Sequence, residues 1–361
     1  MCTPSTSVKS SILRIILVES IIFFALPLLA REKTDVMVMK NGDRMTCEVK
    51  GLDAGVLYVN FDYIDGTVSV DWSKVARLES NQLFVVKTQD GMVYTGMLTT
   101  PEPPAGRPVR LQVLETTEHS AEIDQTNVVS MIATSDKFWQ RFSGALSFGT
   151  IYSKGNQSTQ YNLDSQVAYV RERWAAEGIF DSNLASSTGA NVSTRNSATA
   201  AIRHLLPWNH WYYGGLGNVL TSSEQGIALQ ATLGAGIGRF LKNTNRASIA
   251  VFGGMAWQGT HYQSSTVPVG RQALGAALIY SEAQFFKFSK TNLDISVAAL
   301  PAITDPGRLH FNANAAYYVK LFSNLKWNVS FYGNWDNRPP PGLSGSDYGT
   351  SSGISWTFGL K

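Results

Sequence analysis

Tyr348-Gly349-Thr350-Ser351-Ser352-Gly353-Ile354-Ser355-Trp356-Thr357-Phe358-Gly359-Leu360-Lys361 ends the chain on a period of two. Tyr348, Ile354, Trp356, Phe358 and Leu360 share one face, and Gly349, Ser351, Gly353, Ser355, Thr357 and Gly359 share the other. Side chains of a strand point alternately to opposite faces, so this stretch reads as a strand between two unlike environments. The pattern recurs upstream. Leu325, Trp327, Val329, Phe331 and Trp335 oppose Lys326, Asn328, Ser330, Asn334 and Asp336. Leu309, Phe311, Ala313, Ala315, Tyr317 and Val319 oppose His310, Asn312, Asn314 and Lys320. Ile227, Leu229, Leu233 and Ile237 oppose Gln230, Thr232, Gly234, Gly236 and Gly238.

The polar faces are rich in Gly, Ser, Asn and Gln rather than Lys and Glu, which suits a crowded lumen better than a water-facing surface. From Trp139 onward the pattern predicts about twelve antiparallel strands, close to the length that crosses a bilayer at a tilt. Longer loops are expected around Ser153–Ser158, Ala185–Val192, Ser222–Gly226, Gly259–Gly270, Pro301–Gly307 and Asn337–Gly345. Shorter turns are expected at Arg171–Arg173, Pro207–Asn209, Lys242–Asn245, Phe288–Thr291 and Phe322–Leu325. An even strand count with short turns at one end and longer loops at the other is the pattern of outer-membrane barrels. No run of eighteen apolar residues follows the N-terminal region, so a closed barrel is the remaining way to cross a membrane. Trp174, Trp208, Trp211 and Trp327 are expected as an aromatic girdle at the turn end, with Trp257 and Trp335 at the loop end. A soluble β-sandwich also alternates and is the rival architecture.

Composition agrees with this reading. Charged residues are only 16% of the 361, against an average nearer a quarter. The net charge of +3 and the lack of a basic stripe argue against nucleic acid. Residues 1–30 read as an export signal: Lys9 and Arg14 flank an apolar stretch from Ile15 to Leu29, with Ala30 as the last residue before cleavage. A membrane anchor is the alternative for this segment. Cys2 would leave with the signal, and the remaining Cys47 reads as a small core residue.

Between the signal and the barrel, residues 34–135 hold an internal near-repeat. Asn41-Gly42 follows Val36-Met37-Val38-Met39-Lys40, and Asp90-Gly91 follows Phe84-Val85-Val86-Lys87. Both dipeptides signal a tight hairpin, because glycine tolerates the positive φ required. Val70-Asp71-Trp72-Ser73-Lys74-Val75 then parallels Ile123-Asp124-Gln125-Thr126-Asn127-Val128. Two small units of SH3-like or Sm-like size are implied, each of about five strands. Pro101, Pro103 and Pro104 fall in a loop of the second unit. The fold class expected is therefore all-β: a tandem SH3-like leader ahead of a transmembrane barrel over residues 138–361.

Trp139, Phe142-Ser143-Gly144-Ala145-Leu146-Ser147-Phe148-Gly149, Gly155-Asn156 and Ser158-Thr159 resemble the opening of domain-of-unknown-function family 481. Its members are often labelled salt-induced outer-membrane proteins, and the resemblance runs from about residue 138 to the C-terminus. Lys40-Asn41-Gly42-Asp43 and Val70-Asp71-Trp72 are similar to a leader that some relatives carry. The resemblance implies an outer-membrane barrel and no established reaction. Trp356 and Phe358 fit the aromatic end read by the insertion machinery, although Gly359-Leu360-Lys361 depart from it.

A search for chemistry finds little. Outer-membrane phospholipases use a serine and a histidine on the barrel wall, and this chain has His119, His204, His210, His261 and His310. His261 has Ser264 and Ser265 nearby and His310 has Asp305, yet no nucleophile-elbow motif accompanies either. Polar loop or lumen roles are the simpler assignment for all five. No cysteine or histidine pair has metal-ligand spacing, and no cofactor is expected. Gly234-Ala235-Gly236-Ile237-Gly238 lies in a strand with no helix behind it, so it is no nucleotide loop. Trp72 and Tyr58 suit core packing before a ligand groove. Asp164, Glu177, Asp181, Arg203, Arg239, Glu282, Asp294 and Lys320 are expected to face the lumen. There they either pair and plug it or line a narrow polar path, and pairing is favoured because twelve strands leave a modest interior.

The function expected is a non-enzymatic outer-membrane barrel, structural or envelope-stress related, or passing small solutes. Its partners would be outer-membrane lipid, the barrel-insertion machinery, and peptidoglycan or another envelope protein at a periplasmic leader. An outer-leaflet lipid-modifying enzyme and a soluble secreted β-sandwich binder are the alternatives.

Overall fold

The computed structural model describes residues 33–101, 110–114, 120–133, 142–153, 158–171, 173–186, 192–207, 210–263, 271–287, 290–322 and 324–358. The signal expected at 1–30 lies outside these, as do Pro103, Pro104, His119, Trp139, Trp208, Ser264 and Ser265.

The leader is built from β1 (Asp35–Met39), β2 (Arg44–Asp53), β3 (Val56–Phe61), β4 (Ile64–Asp71), β5 (Val75–Thr88), β6 (Val93–Thr99), β7 (Arg110–Leu114), β8 (Ser120–Asp124) and β9 (Val128–Ala133). The sequence repeat has a backbone counterpart. The Asp71 carboxylate accepts the Ser73 amide at 3.0 Å and opens a single 3-10 turn at Trp72–Lys74. The Asp124 carboxylate accepts the Thr126 amide at 2.9 Å and opens the matching turn at Gln125–Asn127. Short acidic side chains cap such turns because they reach the amide two residues on. Gly42 and Gly91 take the positive φ that their hairpins need, 95° and 82°.

The two units are fused into one body. β5 is 14 residues long; its first part pairs with β1 and its last part with β6 and β9. β9 also pairs with β2, so strands of the second unit complete the first. A single core holds Met37, Cys47, Leu57, Trp72, Phe84 and Met131. Trp72 is buried there, its indole N–H donating to the Gln125 carbonyl at 3.0 Å, which ties one unit to the other. Asp35 is buried and fully used: one oxygen accepts the Val49 amide at 2.8 Å and the other the Ser80 hydroxyl at 2.6 Å. Cys47 is inaccessible, and burial, aided by the charges of Asp35 and Glu48, pushes its thiol up to about 12. A thiol that holds its proton this firmly is a core residue and no nucleophile.

The barrel follows with β10 (Phe142–Ser153), β11 (Ser158–Val170), β12 (Trp174–Ser186), β13 (Ser193–Leu205), β14 (Trp211–Ser222) and β15 (Ile227–Asn243). It continues with β16 (Ala247–Tyr262), β17 (Arg271–Lys287), β18 (Thr291–Pro301), β19 (Leu309–Lys320), β20 (Leu325–Asp336) and β21 (Ser346–Phe358). Each strand pairs antiparallel with the next, and β10 pairs with β21 from Gly144↔Phe358 to Gly149↔Gly353, so the sheet closes on itself. The same strands form no two-sheet sandwich.

All twelve strands place large apolar side chains on an exposed outer face. Phe148, Leu163, Phe180, Ile202, Val219, Leu233, Met255, Ile279, Ile295, Tyr317, Val329 and Ile354 supply one from each. Such a belt far exceeds the apolar patches that water-soluble proteins expose, and hydrocarbon is the solvent it suits. One expected face changes. The register shifts between Ile227 and Leu229, which turns Ile227 inward against Leu220 and Tyr262.

At the closing seam Gly149 and Gly353 stand opposite each other, and a Cβ on Gly353 would come 2.5 Å from the Phe148 carbonyl and 2.8 Å from the Gly149 Cα. The strands can approach only without side chains here. Gly353→Val is expected to prevent closure, read as loss of the fast-migrating unboiled band on a detergent gel, whereas Ser352→Val on the outer face keeps that band.

Candidate functional site: the lumen and its covered mouth

Inner-face residues come from the alternate positions that oppose the apolar belt. Seven of the eight charges expected in the lumen lie on that inner face, and contacts between distant strands show how they are used. Arg203 on β13 donates to Glu282 on β17 at 2.9 Å and reaches Glu177 on β12 at 3.5 Å. β13 and β17 are four strands apart, so this bridge spans the interior. Glu177 also accepts the Gln166 amide at 2.5 Å, and Glu282 accepts the Tyr280 hydroxyl at 3.3 Å. Asp164 and Asp181 are directly opposed on β11 and β12, with Asn162 donating to Asp164 at 3.1 Å. Asp294 lies on the inner face of β18 opposite Gln284. Lys320 lies at the turn end of β19 and donates to Ser69 of the leader at 2.8 Å.

Arg239 is the exception. It follows Leu233 and Ile237 on the outer face of β15, exposed, with its guanidinium 5.7 Å from the Trp211 ring. Charge suggested the lumen, but Arg239 is close enough to the turn end for a long side chain to reach headgroups while its stem covers apolar wall. Trp174 packs there against His204 and Tyr213, at 4.4 and 6.1 Å. Trp211 and Trp327 also lie at the turn end, and Trp257 and Trp335 toward the loop end, with Phe311 at 5.5 Å from Trp335.

Sequence reasoning missed a second bridge at the loop end. Arg195 on β13 pairs with Asp347 on β21 at 3.4 Å and lies 4.7 Å over the Tyr332 ring of β20. Ser222 on β14 donates to the same Asp347 at 2.7 Å. Nearby, Arg308 grips Asp336 with two bonds, of 3.1 and 2.6 Å, and His310 lies 3.4 Å from that carboxylate. Arg195 carried a signal that went unused: it shares the parity of Arg203 on one strand.

A third feature is apolar. Tyr212, Ala250, Phe252, Ala256, Ala276, Leu278 and Leu300 form a buried cluster on the inner faces of β14 to β18. The facing wall is polar, with Ser147, Asn162, Asn328, Ser351, Ser355 and Thr357 buried on β10, β11, β20 and β21. The interior is thus packed on one side and hydrogen-bonding on the other.

The leader covers the turn-end mouth. His210, in the turn after β13, places its ring Nε2 against the Gln89 carbonyl, and Asn245, in the turn after β15, donates to the Val128 carbonyl at 2.8 Å. Val56 is buried outside the leader core, in a cavity shared with Phe286 and Lys320 of the barrel. Tyr58 lines the same cavity, so it serves this junction and not the leader core. Lys87 of β5 comes near Arg203, and burial first, then that positive charge, lowers its pKa from 10.5 to about 8.

The two remaining histidines of the described residues, His261 and His310, contact charged side chains, and the Ser264 and Ser265 expected beside His261 lie outside the described residues. Arg271 donates to His261 at 3.3 Å, and His310 faces Asp336 and Arg308. Among the described residues no cluster of His, Cys, Asp and Glu is arranged to hold a metal ion.

Residues 146–358 match the family model described as "Protein of unknown function, DUF481". A search of curated proteins finds no match. Among solved structures, the translocator domain of the autotransporter NalP from Neisseria meningitidis is 14% identical, with a TM-score of 0.31, covering 60% of this chain and 87% of that one. The COG4313 outer membrane channel from Pseudomonas putida F1 is 12% identical, with a TM-score of 0.35, covering 60% and 93%. CdiB from Acinetobacter baumannii is 9% identical, with a TM-score of 0.34, covering 76% and 66%.

The lowered pKa of Lys87 makes docking of the leader pH-dependent. The docked state binds fewer protons than the undocked state between about 8 and 10.5, so docking strengthens as pH rises through that window. Below about 8 the penalty is fully present. Limited proteolysis of the leader in the full chain is expected to slow between pH 7.5 and 10, and Lys87→Met to remove that dependence.

Proposed function

The chain belongs to the DUF481 family, and from that premise we propose a sealed outer-membrane barrel that holds its leader against the periplasmic face of the membrane. The observation that carries this reading is the Arg203 bridge to Glu177 and Glu282 across the interior, with the leader seated over the same mouth. A diffusion pore needs a continuous wet path. Here the lumen is crossed near both ends by ion pairs and filled between them on the β14–β18 wall.

Orientation follows from the connections. The leader lies at the short-turn end, which in outer-membrane barrels faces the periplasm. The barrel is then an anchor, with lipid around its belt, and the leader is the part available to peptidoglycan or another envelope protein. No reaction is needed for this role. The polar wall of Asn162, Asn328, Ser351 and Ser355 favours a second reading, a narrow solute path that opens only when the bridges part.

In planar bilayers the full chain is expected to show no steady conductance. Arg203→Ser combined with Glu282→Ser removes the bridge without leaving an unpaired cation, and is expected to give frequent brief openings. A steady, ohmic conductance from the unaltered protein would sink the sealed reading. Openings that report a polar, cation-selective path in the double variant would favour the second.

A further inference from the structure

One cavity of the barrel lies on its outside. A groove of about 640 Å³ runs over the lipid-facing wall of β13 to β16, within the size range of sites that hold small ligands. Ala200, Gly215, Gly217 and Ala235 form its floor, neighbours across β13, β14 and β15. Ile202 on one side and Met255 and Trp257 on the other rise as its rims, all three exposed. The fold itself does not call for the two glycines. A Cβ on Gly215 would meet only the Gly234 carbonyl, at 3.3 Å, and one on Gly217 only the end of the Leu233 side chain, also at 3.3 Å. At Gly236 and Gly254, by contrast, a Cβ would come 2.2 and 2.1 Å from facing carbonyls, so there the strands need glycine. A bare glycine inside a strand weakens it and commonly marks a place where another group approaches closely.

Toward the turn end the same face changes character. Arg239 lies four residues beyond Ala235 on the outer face of β15, about 14 Å along the strand at the usual rise of about 3.4 Å per residue. Its contact is the Trp211 ring at 5.7 Å, a partner for the face of the guanidinium that leaves the charge in place. Among the described residues no carboxylate pairs with it. Trp174, His204 and Tyr213 cluster near the same level on the neighbouring strands. A leaflet's hydrocarbon is about 15 Å deep, half of the roughly 30 Å core. The groove therefore lies at acyl-chain depth when Arg239 lies at headgroup depth.

We propose that this groove holds one acyl chain of a phospholipid whose phosphate sits on Arg239. The forked donors of arginine match phosphate oxygens, and the bare floor lets the chain lie close against the wall. A second copy of the chain could also cover an apolar groove, but an apolar surface would leave the cation at its lower end unanswered. A lipid brings the anion and the chain at the spacing that Arg239 and the groove present. Which leaflet supplies the lipid rests on the orientation proposed above, with the turn end periplasmic. The binding itself rests neither on that orientation nor on whether the lumen conducts.

The test uses the delipidated full chain in detergent, titrated with phosphatidylglycerol and followed by native mass spectrometry, which counts lipids per chain. Diacylglycerol with the same acyl chains is the control that lacks the phosphate. One phosphatidylglycerol per chain is expected to bind saturably, and diacylglycerol is not. Ala200→Leu and Ala235→Leu fill the groove from outside, and each is expected to weaken binding about tenfold or more. Arg239→Gln is expected to weaken it about as much, through loss of the charge-assisted contact. Ala313→Leu makes the same change on the outer face of β19, across the barrel, and is expected to leave binding unaltered. All four positions face lipid, and the heat-dependent gel shift checks that each variant still closes. Equal binding of diacylglycerol, unchanged binding in Ala235→Leu or in Arg239→Gln, or an equal loss in Ala313→Leu overturns the proposal. So does a two-chain complex that Ala235→Leu separates, which would give the groove to a second copy. Steady conductance in a protein that still binds one phosphatidylglycerol would sink the sealed reading and leave this one standing.

Discussion

Hydrocarbon offers no partner for a backbone amide, and the rest of this molecule answers to that constraint. Twelve strands satisfy it only if the first meets the last, so the pairing of β10 with β21 is the condition for all other pairings to sit in a membrane. Among the described residues the seam is paired at six positions, fewer than any other ladder of the barrel, and it depends on the glycine contact at Gly149 and Gly353. Closure also fixes the faces. Once the ring is shut, every strand has an outside for lipid and an inside that must be filled or wetted, and parity sorts the side chains without exception except where the ladder slips.

Filling the inside is the second demand. An ion in a confined interior costs less when it is paired and hydrogen-bonded, and the lumen charges follow that rule. Arg203 takes two glutamates, Arg195 takes Asp347 and a tyrosine ring, and Arg308 takes Asp336 by both oxygens. The β14–β18 wall uses packing instead. Tyr212 lies between Phe240 at 5.2 Å and Phe252 at 6.1 Å, a short aromatic stack inside the barrel. Polar bridging and apolar packing are two solutions to one problem, and here they divide the circumference.

Much of this was legible in the sequence, for physical reasons that vary by element. β19, β20 and β21 read cleanly because their two faces meet opposite solvents, and period two is the direct record of that difference. The turns and loops were placed by glycine, proline and asparagine clusters that interrupt it. The inner apolar cluster was not legible, since β16 to β18 carry small and apolar residues on both faces and alternation has no contrast to report there. Ile227 was lost to a slip in register that composition does not announce. Arg239 was misplaced because charge was given more weight than position along the strand. The second bridge needed Arg195 and Asp347 to be neighbours in space across 152 positions of sequence, which only closure provides. The repeat in the leader was visible, yet its fusion into one body was not, because a shared strand looks in sequence like the end of one unit and the start of the next.

That fusion links leader and lumen. β5 begins in the first unit, ends in the second, and presents Lys87 beside Arg203 at the mouth. Two independent small barrels on a linker could each turn freely; a single body sharing one core seats as a whole. Its contacts fall at the turns after β13 and β15 and at the end of β19, an arc covering half of the ring. A rigid body held at several separated points cannot slide aside by loosening one of them, so any opening of this mouth must break the set together. The leader therefore behaves as a seated cover.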